Sequence, residues 1–410
     1  MNNKQSIWTK DFILICLVSL ATNITMRMLD ANLASYASVT WNSKTLGGQL
    51  TSFFNIGSIA MAFISGRLVD LNGRRNCLIV FCLVFAIPTL GMALIPVPGV
   101  ALGVRLIQGI AKGVVSVAMA SVVSDITPRE RMNEGMGLFN LGNTISFAIG
   151  PMIGLALVDM GGYKLMFIIC AIVYAMGSVL TFPIRYENNK TEDTSVNKEK
   201  TTSSSEYKGV WALIEKKAIL PSLINTIFFG GYACILVFLT VYAQEILQLS
   251  SSKISLFYTV AAVAMLVVRL TTAKVADKYG ALAMVIPGHV IMIGALLLLT
   301  FPSKTSYIAF LAAGVCYGIG MAVVSPTLNA VAVVDSPFER SATANATFYF
   351  MMDFGILIAS SAFGALMDKA ATPEIGYTQT YLISCVVIVI SMILCFLTMN
   401  DKAREIRRNK

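Results

Sequence analysis

Apolar runs of about 20 residues alternate with short polar, glycine-marked or proline-marked breaks along almost the whole chain, and a helix of that length crosses the hydrocarbon of a bilayer. The pattern predicts twelve spans, near 11–34, 47–69, 76–95, 100–123, 134–158, 165–184, 218–243, 254–273, 282–301, 307–331, 342–366 and 378–398. Pro96-Val97-Pro98-Gly99 and Gly161-Gly162 mark short turns. One polar stretch differs in kind: 185–217 holds Asn188, Asn189, Thr191, Glu192, Asp193 and Thr194, then Thr201 to Ser205, with seven basic residues. It reads as a flexible linker between halves. Its end, with Val210, Trp211, Leu213 and Ile214, is expected to lie as a short interfacial helix. The expected organisation is a six-helix bundle over 1–184, a cytoplasmic linker over 185–217, a second six-helix bundle over 218–400 and a basic cytoplasmic tail over 401–410.

Composition narrows the class. The 410 residues are 56% hydrophobic and 13% charged, which excludes an ordinary soluble domain and leaves an all-α membrane protein. The net charge of +9 does not point to nucleic acid, because the basic residues sit in loops and the tail rather than on one patch. By this division roughly 22 Lys and Arg lie in loops on the side of the termini and about 5 on the other, which predicts that both termini are cytoplasmic. The eight cysteines fall in apolar segments with no CxxC and no neighbouring histidine, so neither a metal site nor a disulfide framework is expected. Lys4 and Lys10 before the run 12–20 imitate a secretory signal, but no small-residue cleavage site follows, and the run continues through Asn23, Arg27 and Asp30 as a retained first helix.

The stretch Gly66-Arg67-Leu68-Val69-Asp70-Leu71-Asn72-Gly73-Arg74-Arg75 turns between the second and third spans. Gly66 and Gly73 are expected to give close approach and a tight turn, Asp70 an anion for arginine, and Arg67 and Arg74 the positive charge of a latch. Three features recur in the second half: 273–280 is a worn copy of this stretch, 335–340 echoes 125–131, and Gly318 and Gly320 stand where Gly109 and Gly113 stand. The offsets are all about 207 to 210 residues, which predicts two repeated bundles. The order G-x-L-x-D-x-x-G-R-R resembles the signature of the major facilitator superfamily, and the wider set of motifs resembles its bacterial twelve-helix drug:proton antiporters. The resemblance implies two six-helix bundles around a midplane site reached alternately from each side.

Within the spans, Arg105, Gln108, Gly109 and Lys112 share one helical face, and charges there are expected to point into protein or a wet cavity. Arg105-Leu106-Ile107-Gln108-Gly109 resembles the family's R-x-x-Q-G motif, which implies a role for Arg105 in proton coupling. Asn23, Arg27 and Asp30 lie on the first span, where Arg27 and Asp30 can pair, or Asp30 can titrate. Gly150-Pro151-Met152-Ile153-Gly154 resembles the G-P-x-x-G motif of exporting antiporters, with Gly150, Pro151 and Gly154 serving helix packing or a bend, although Ser146 stands where a further glycine is usual. Asp353 is a lone acid near mid-depth, either a proton carrier or an internal tie. His289 reads as structural, with proton coupling as the alternative, and Glu245 as a solvated loop acid, with gating or binding as the alternative. Tyr232, Tyr317 and Tyr349 are expected to line an adaptable pocket.

Nothing resembles a phosphate-binding loop, a metal cluster or a nucleophile with its base, so no cofactor, metal or catalytic residue is expected and an ion gradient is the energy source. Proton coupling falls to Asp30, Arg105 and Asp353, and substrate binding to Arg27, Asn23, Gln108, Lys112 and the three tyrosines. The expected protein is a monomeric, multi-pass transporter of the bacterial inner membrane that exports a small anionic, zwitterionic or drug-like molecule against protons. An importer or facilitator of a small organic anion, or a lipid-linked flippase, is the alternative.

Overall fold

The computed structural model describes residues 7–62, 64–128, 131–184, 213–279, 281–301, 306–337 and 340–408. Helices account for nearly all of them, and no strand occurs among the described residues. The first six are α1 (Lys10–Trp41), α2 (Lys44–Ala62), α3 (Ser65–Asn72), α4 (Arg74–Leu94), α5 (Pro98–Ile126) and α6 (Met132–Thr181). They are followed by α7 (Lys216–Glu245), α8 (Ser251–Tyr279), α9 (Leu282–Thr300), α10 (Tyr307–Val334), α11 (Ser341–Lys369) and α12 (Pro373–Arg408).

Two of these elements do not correspond one to one with crossings. α6 has 50 residues, about 75 Å at helical rise, which is more than twice the hydrocarbon thickness. Its backbone leaves helical geometry at Gly161 (φ −153°) and Gly162 (φ 71°, ψ −177°), so a two-glycine turn divides it into two spans where the sequence marks a turn. Only glycine adopts that positive φ without cost. Conversely, α2 and α3 meet at a bend of 61° and together are long and apolar enough for one span. Counted this way, the described residues hold twelve candidate crossings.

The bend corrects the expected hairpin. The stretch 66–75 is not a ten-residue loop: Gly66 to Asn72 lie within α3, Arg74 opens α4, and the reversal falls on Gly73 alone (φ 80°, ψ 144°). A Cβ at Gly66 would meet nothing within 4 Å, so the close approach expected there is absent.

The chain divides into two compact units, residues 1–29 with 56–208 and residues 30–55 with 209–410. In the first, α4 packs on α5 and α6, and α3 on α5 and α4. Phe85 and Tyr174 stack face to face at 3.6 Å in its core, and Ser178 on α6 donates to the Ile79 carbonyl of α4. In the second, α7 is the hub, packed on α10, α11 and α12, while α9 joins α10 and α12 and α8 lies on α10. His289 of α9 is fully buried there, with Nδ1 at 2.8 Å from the Val285 carbonyl and Nε2 at 3.0 Å from Ser391 Oγ, which places both ring nitrogens in structural contacts.

Most of the linker, 185–212, lies outside the described residues, as do the side chains of 270–280 and 400–408. The described part of the expected interfacial helix, Leu213 to Glu215, is not helical; α7 starts at Lys216 behind a Glu215 N-cap whose carboxylate accepts from the Lys217 amide.

Candidate functional site

Small residues let α5 approach α2 closely in the first unit. A Cβ at Gly57 would stand 2.2 Å from the Leu106 carbonyl oxygen, and one at Gly113 would stand 2.8 Å from Met61 Cβ. On the α4 side of α5, Arg105 is fully buried and its Nη1 donates to Gln108 Oε1 at 2.9 Å. Gln108 Nε2 donates to Thr89 Oγ1 at 2.8 Å, and the Thr89 hydroxyl donates in turn to the Phe85 carbonyl at 2.6 Å. This chain of donors fixes both Arg105 and Gln108. Gln108, expected to bind substrate, is fully buried and its amide is committed to Arg105 and Thr89, so in this state it positions the guanidinium. Lys112 is half-buried and its Nζ lies 3.4 Å from Ser58 Oγ.

On α1, Asn23 donates to the Ser19 carbonyl at 2.8 Å and reaches Ser19 Oγ at 3.2 Å, so its amide is turned onto its own helix. The Arg27 guanidinium carbon lies 4.0 Å above the Phe147 ring, a cation–π arrangement across to α6. A Cβ at Gly150 would meet Arg27 Cβ at 2.4 Å and the Ile24 carbonyl at 2.9 Å; the glycine makes room for α1 where Arg27 sits. Pro151 and Gly154 are buried in the next turn of α6.

The charge layout of the first unit follows from these positions. Its cations at membrane depth are Arg27, Arg105 and Lys112, whereas its described acids, Asp11, Asp70, Asp125, Glu134 and Asp159, all stand near helix ends or the α6 break. At one such end Arg74 joins Asp125 (3.0 Å) and Asp70 (3.6 Å), and Arg75 donates to the Phe182 carbonyl at 2.6 Å. Of the expected latch, Gly66, Arg67 and Asp70 are exposed, and Arg74 is the member held by partners on two helices. Arg131 grips Glu134 through two bonds, at 2.9 and 2.7 Å.

The second unit holds the acids. Asp353 of α11 is 9% exposed and Asp30 half-buried at the start of this unit's share of α1, and the Tyr258 hydroxyl is bonded to Thr240 at 3.1 Å. Tyr232 and Tyr317 are 1% and 4% exposed, their rings stacked at 5.6 Å and their hydroxyls 3.0 Å apart. Tyr349 does not join that pair: it is 54% exposed and its ring meets Phe348. The expected three-tyrosine pocket is therefore a closed pair plus a separate phenol one helical turn from Asp353.

Three features escaped the sequence reading. Arg269 of α8 is exposed on its helix; an arginine inside the span 254–273 was the available signal. Arg340 pairs with Glu215 and donates to the Ile214 carbonyl at 3.0 Å, tying the start of α7 to α11. Glu245 accepts from Lys44 in an ion pair of 3.0 Å, although it reads as a solvated loop acid in sequence. No cluster of three potential metal ligands occurs among the described residues.

Candidate crossings along the described residues, with a buried arginine on α5 and a half-buried one on α1, mark a polytopic membrane protein. The chain matches the Major Facilitator Superfamily over residues 12–360 and belongs to that family. It is 24% identical to an MFS-type transporter of Methanocaldococcus jannaschii, over 95% of this chain and 98% of the relative. It is 22% identical to a multi-drug resistance efflux pump PmrA homolog of Lactococcus lactis, over 89% and 87% of the two chains. Among solved structures it resembles a mutant of the nucleoside transporter NupG, with a TM-score of 0.78 at 15% identity, covering 95% of this chain and 100% of that one.

Proposed function

We propose that the protein is a proton-coupled antiporter of the bacterial inner membrane, with both termini cytoplasmic, that exports a small anionic or zwitterionic molecule by alternating access. The observation that carries this reading is the charge balance at membrane depth: Arg27, Arg105 and Lys112 stand on α1 and α5 against the single acid Asp30 on α1, while Asp353 stands on α11. Three cations against the one acid Asp30 leave α1 and α5 net positive by about two at that depth, which favours a ligand with a negative group, and half-buried or buried carboxylates are suited to taking up a proton. Uptake of a proton removes negative charge and shifts the balance between conformations. Export is supported by the glycine contact of Gly150 on α1 and by the efflux function named for the Lactococcus lactis relative.

The reading is tested in proteoliposomes with a preset pH gradient, to which carboxylate-bearing and zwitterionic compounds are added in turn. Proton movement opposite to substrate movement is expected. Asp30→Asn or Asp353→Asn should abolish the pH dependence; if both variants keep it, neither acid carries the proton. Competition by lipophilic cations but not by carboxylates overturns the assignment of substrate charge.

A further inference from the structure

Within the first unit, α6 holds the side chain of Arg27 at both ends. Gly142, Ser146 and Gly150 recur at every fourth residue of α6 and share one face, and α1 lies along it: a Cβ at Gly142 would come 3.8 Å from the Leu20 Cα, and one at Gly150 would come 2.4 Å from Arg27 Cβ. Ser146 keeps this groove open, since it is fully buried and its hydroxyl donates back to the Gly142 carbonyl at 2.7 Å. The root of Arg27 is thereby fixed against α6. Its tip is met by Phe147, one turn before Gly150, whose half-buried ring has its centroid 4.0 Å from the guanidinium carbon.

The choice of an aromatic residue decides what the cation can still do. An acid at 147 would neutralise the charge and occupy the fork of N–H donors, and an aliphatic side chain would leave the tip unheld. A ring face attracts the positive charge but offers no oxygen, so it steadies the guanidinium while preserving its charge and its planar fork for a carboxylate. A long side chain that is already held also loses less rotamer freedom when an anion binds. We propose that Phe147 is a positioning residue for the substrate, setting the affinity for carboxylates by holding Arg27 in place. The proposal rests on the reading of the substrate as anionic or zwitterionic, and it assigns part of that selectivity to a residue that carries no charge.

The test uses full-length protein in nanodiscs in which position 147 carries phenylalanine or its mono-, di- or trifluorinated analogue. Fluorine leaves the shape of the ring nearly unchanged and withdraws charge from its face in steps. The probes are labelled benzoate and labelled glutamate, with unlabelled benzamide as an uncharged competitor of the shape of benzoate. The dissociation constant of whichever carboxylate binds should rise with each fluorine, about tenfold in all, while the melting temperature and the competition by benzamide stay constant. Phe147→Tyr should keep the unaltered affinity to within about twofold, and Phe147→Leu should lose at least as much as the trifluorinated ring. An affinity that is constant along the series, or that improves as the ring weakens, overturns the role of Phe147 and leaves the anionic reading standing. A fall in melting temperature with equal loss of carboxylate and benzamide binding makes Phe147 a structural tie and overturns the role as well. An unaltered protein that binds neither probe overturns both the role and the anionic reading.

Discussion

Two polar regions of this molecule are built from the same kinds of bond and differ in what surrounds them. The line Arg105–Gln108–Thr89 lies between α4 and α5 with none of its three side chains exposed to solvent. The contact around Asp368 and Glu245, where the Ser43 hydroxyl and the Lys44 and Thr45 amides donate to the first carboxylate and Lys44, Ser38 and Tyr377 to the second, has about twice as many such bonds, but Glu245 is 36% exposed and Lys44 12%. A hydrogen bond broken in the first place leaves a donor or acceptor in a dry interior, whereas one broken in the second is replaced by water. The first region is therefore costly to break and the second is not.

The largest expected effect comes from emptying the buried line. Arg105→Ala leaves the Gln108 carbonyl without its donor, and a buried group stranded in this way costs about 1–3 kcal/mol. Thermal unfolding in detergent should report that loss, and transport should fall by roughly a hundredfold, a barrier change of about 2.7 kcal/mol. Next come paired glycine substitutions. Gly57→Ala forces a Cβ to within 2.2 Å of the Leu106 carbonyl and should lower the melting temperature. Gly48→Ala forces one to within 2.0 Å of the Ser360 carbonyl, but the contact beside it exchanges its partners for water at small cost, so the melting temperature should fall less. If both variants lose stability equally, the distinction between the regions fails.

Thr89→Val should cost about 1 kcal/mol, since it removes one acceptor from a line that keeps its other bonds, and should slow transport less than Arg105→Ala does. The smallest effect is assigned to Lys44→Met. An ion pair at that exposure is worth about 0–1 kcal/mol, so stability should hardly move, while the small salt dependence that this pair gives the melting temperature should disappear.

The fold was legible because a bilayer forces a long apolar run onto every crossing, and the charged residues inside those runs were visible for the same reason. Arg105, Gln108 and Lys112 could be placed on one face from spacing alone. What spacing could not supply was the partner on another helix: that Gln108 would turn to Thr89, that Gly150 would receive α1 at Arg27, or that Tyr349 would stand apart from Tyr232 and Tyr317. Those outcomes depend on helix rotation and depth, which two neighbouring sequence positions do not encode. Asp368 and the partners of Glu245 were hidden for a further reason. Acids at the ends of spans are common, and only the returning α1–α2 turn, more than 200 residues away in the chain, shows what they hold. The ten-residue hairpin at 66–75 went wrong because polarity was taken for loop, whereas α3 carries Arg67 and Asp70 on a helix.

The two-glycine break at Gly161 and Gly162 bears on how the chain enters the membrane. A pair of spans joined by so short a turn has no free loop to carry across the bilayer by itself, and its backbone amides and carbonyls are satisfied only when both arms are helical. The two arms of α6 therefore depend on each other for a place in the membrane, and a residue inserted between Gly161 and Gly162 would disturb both.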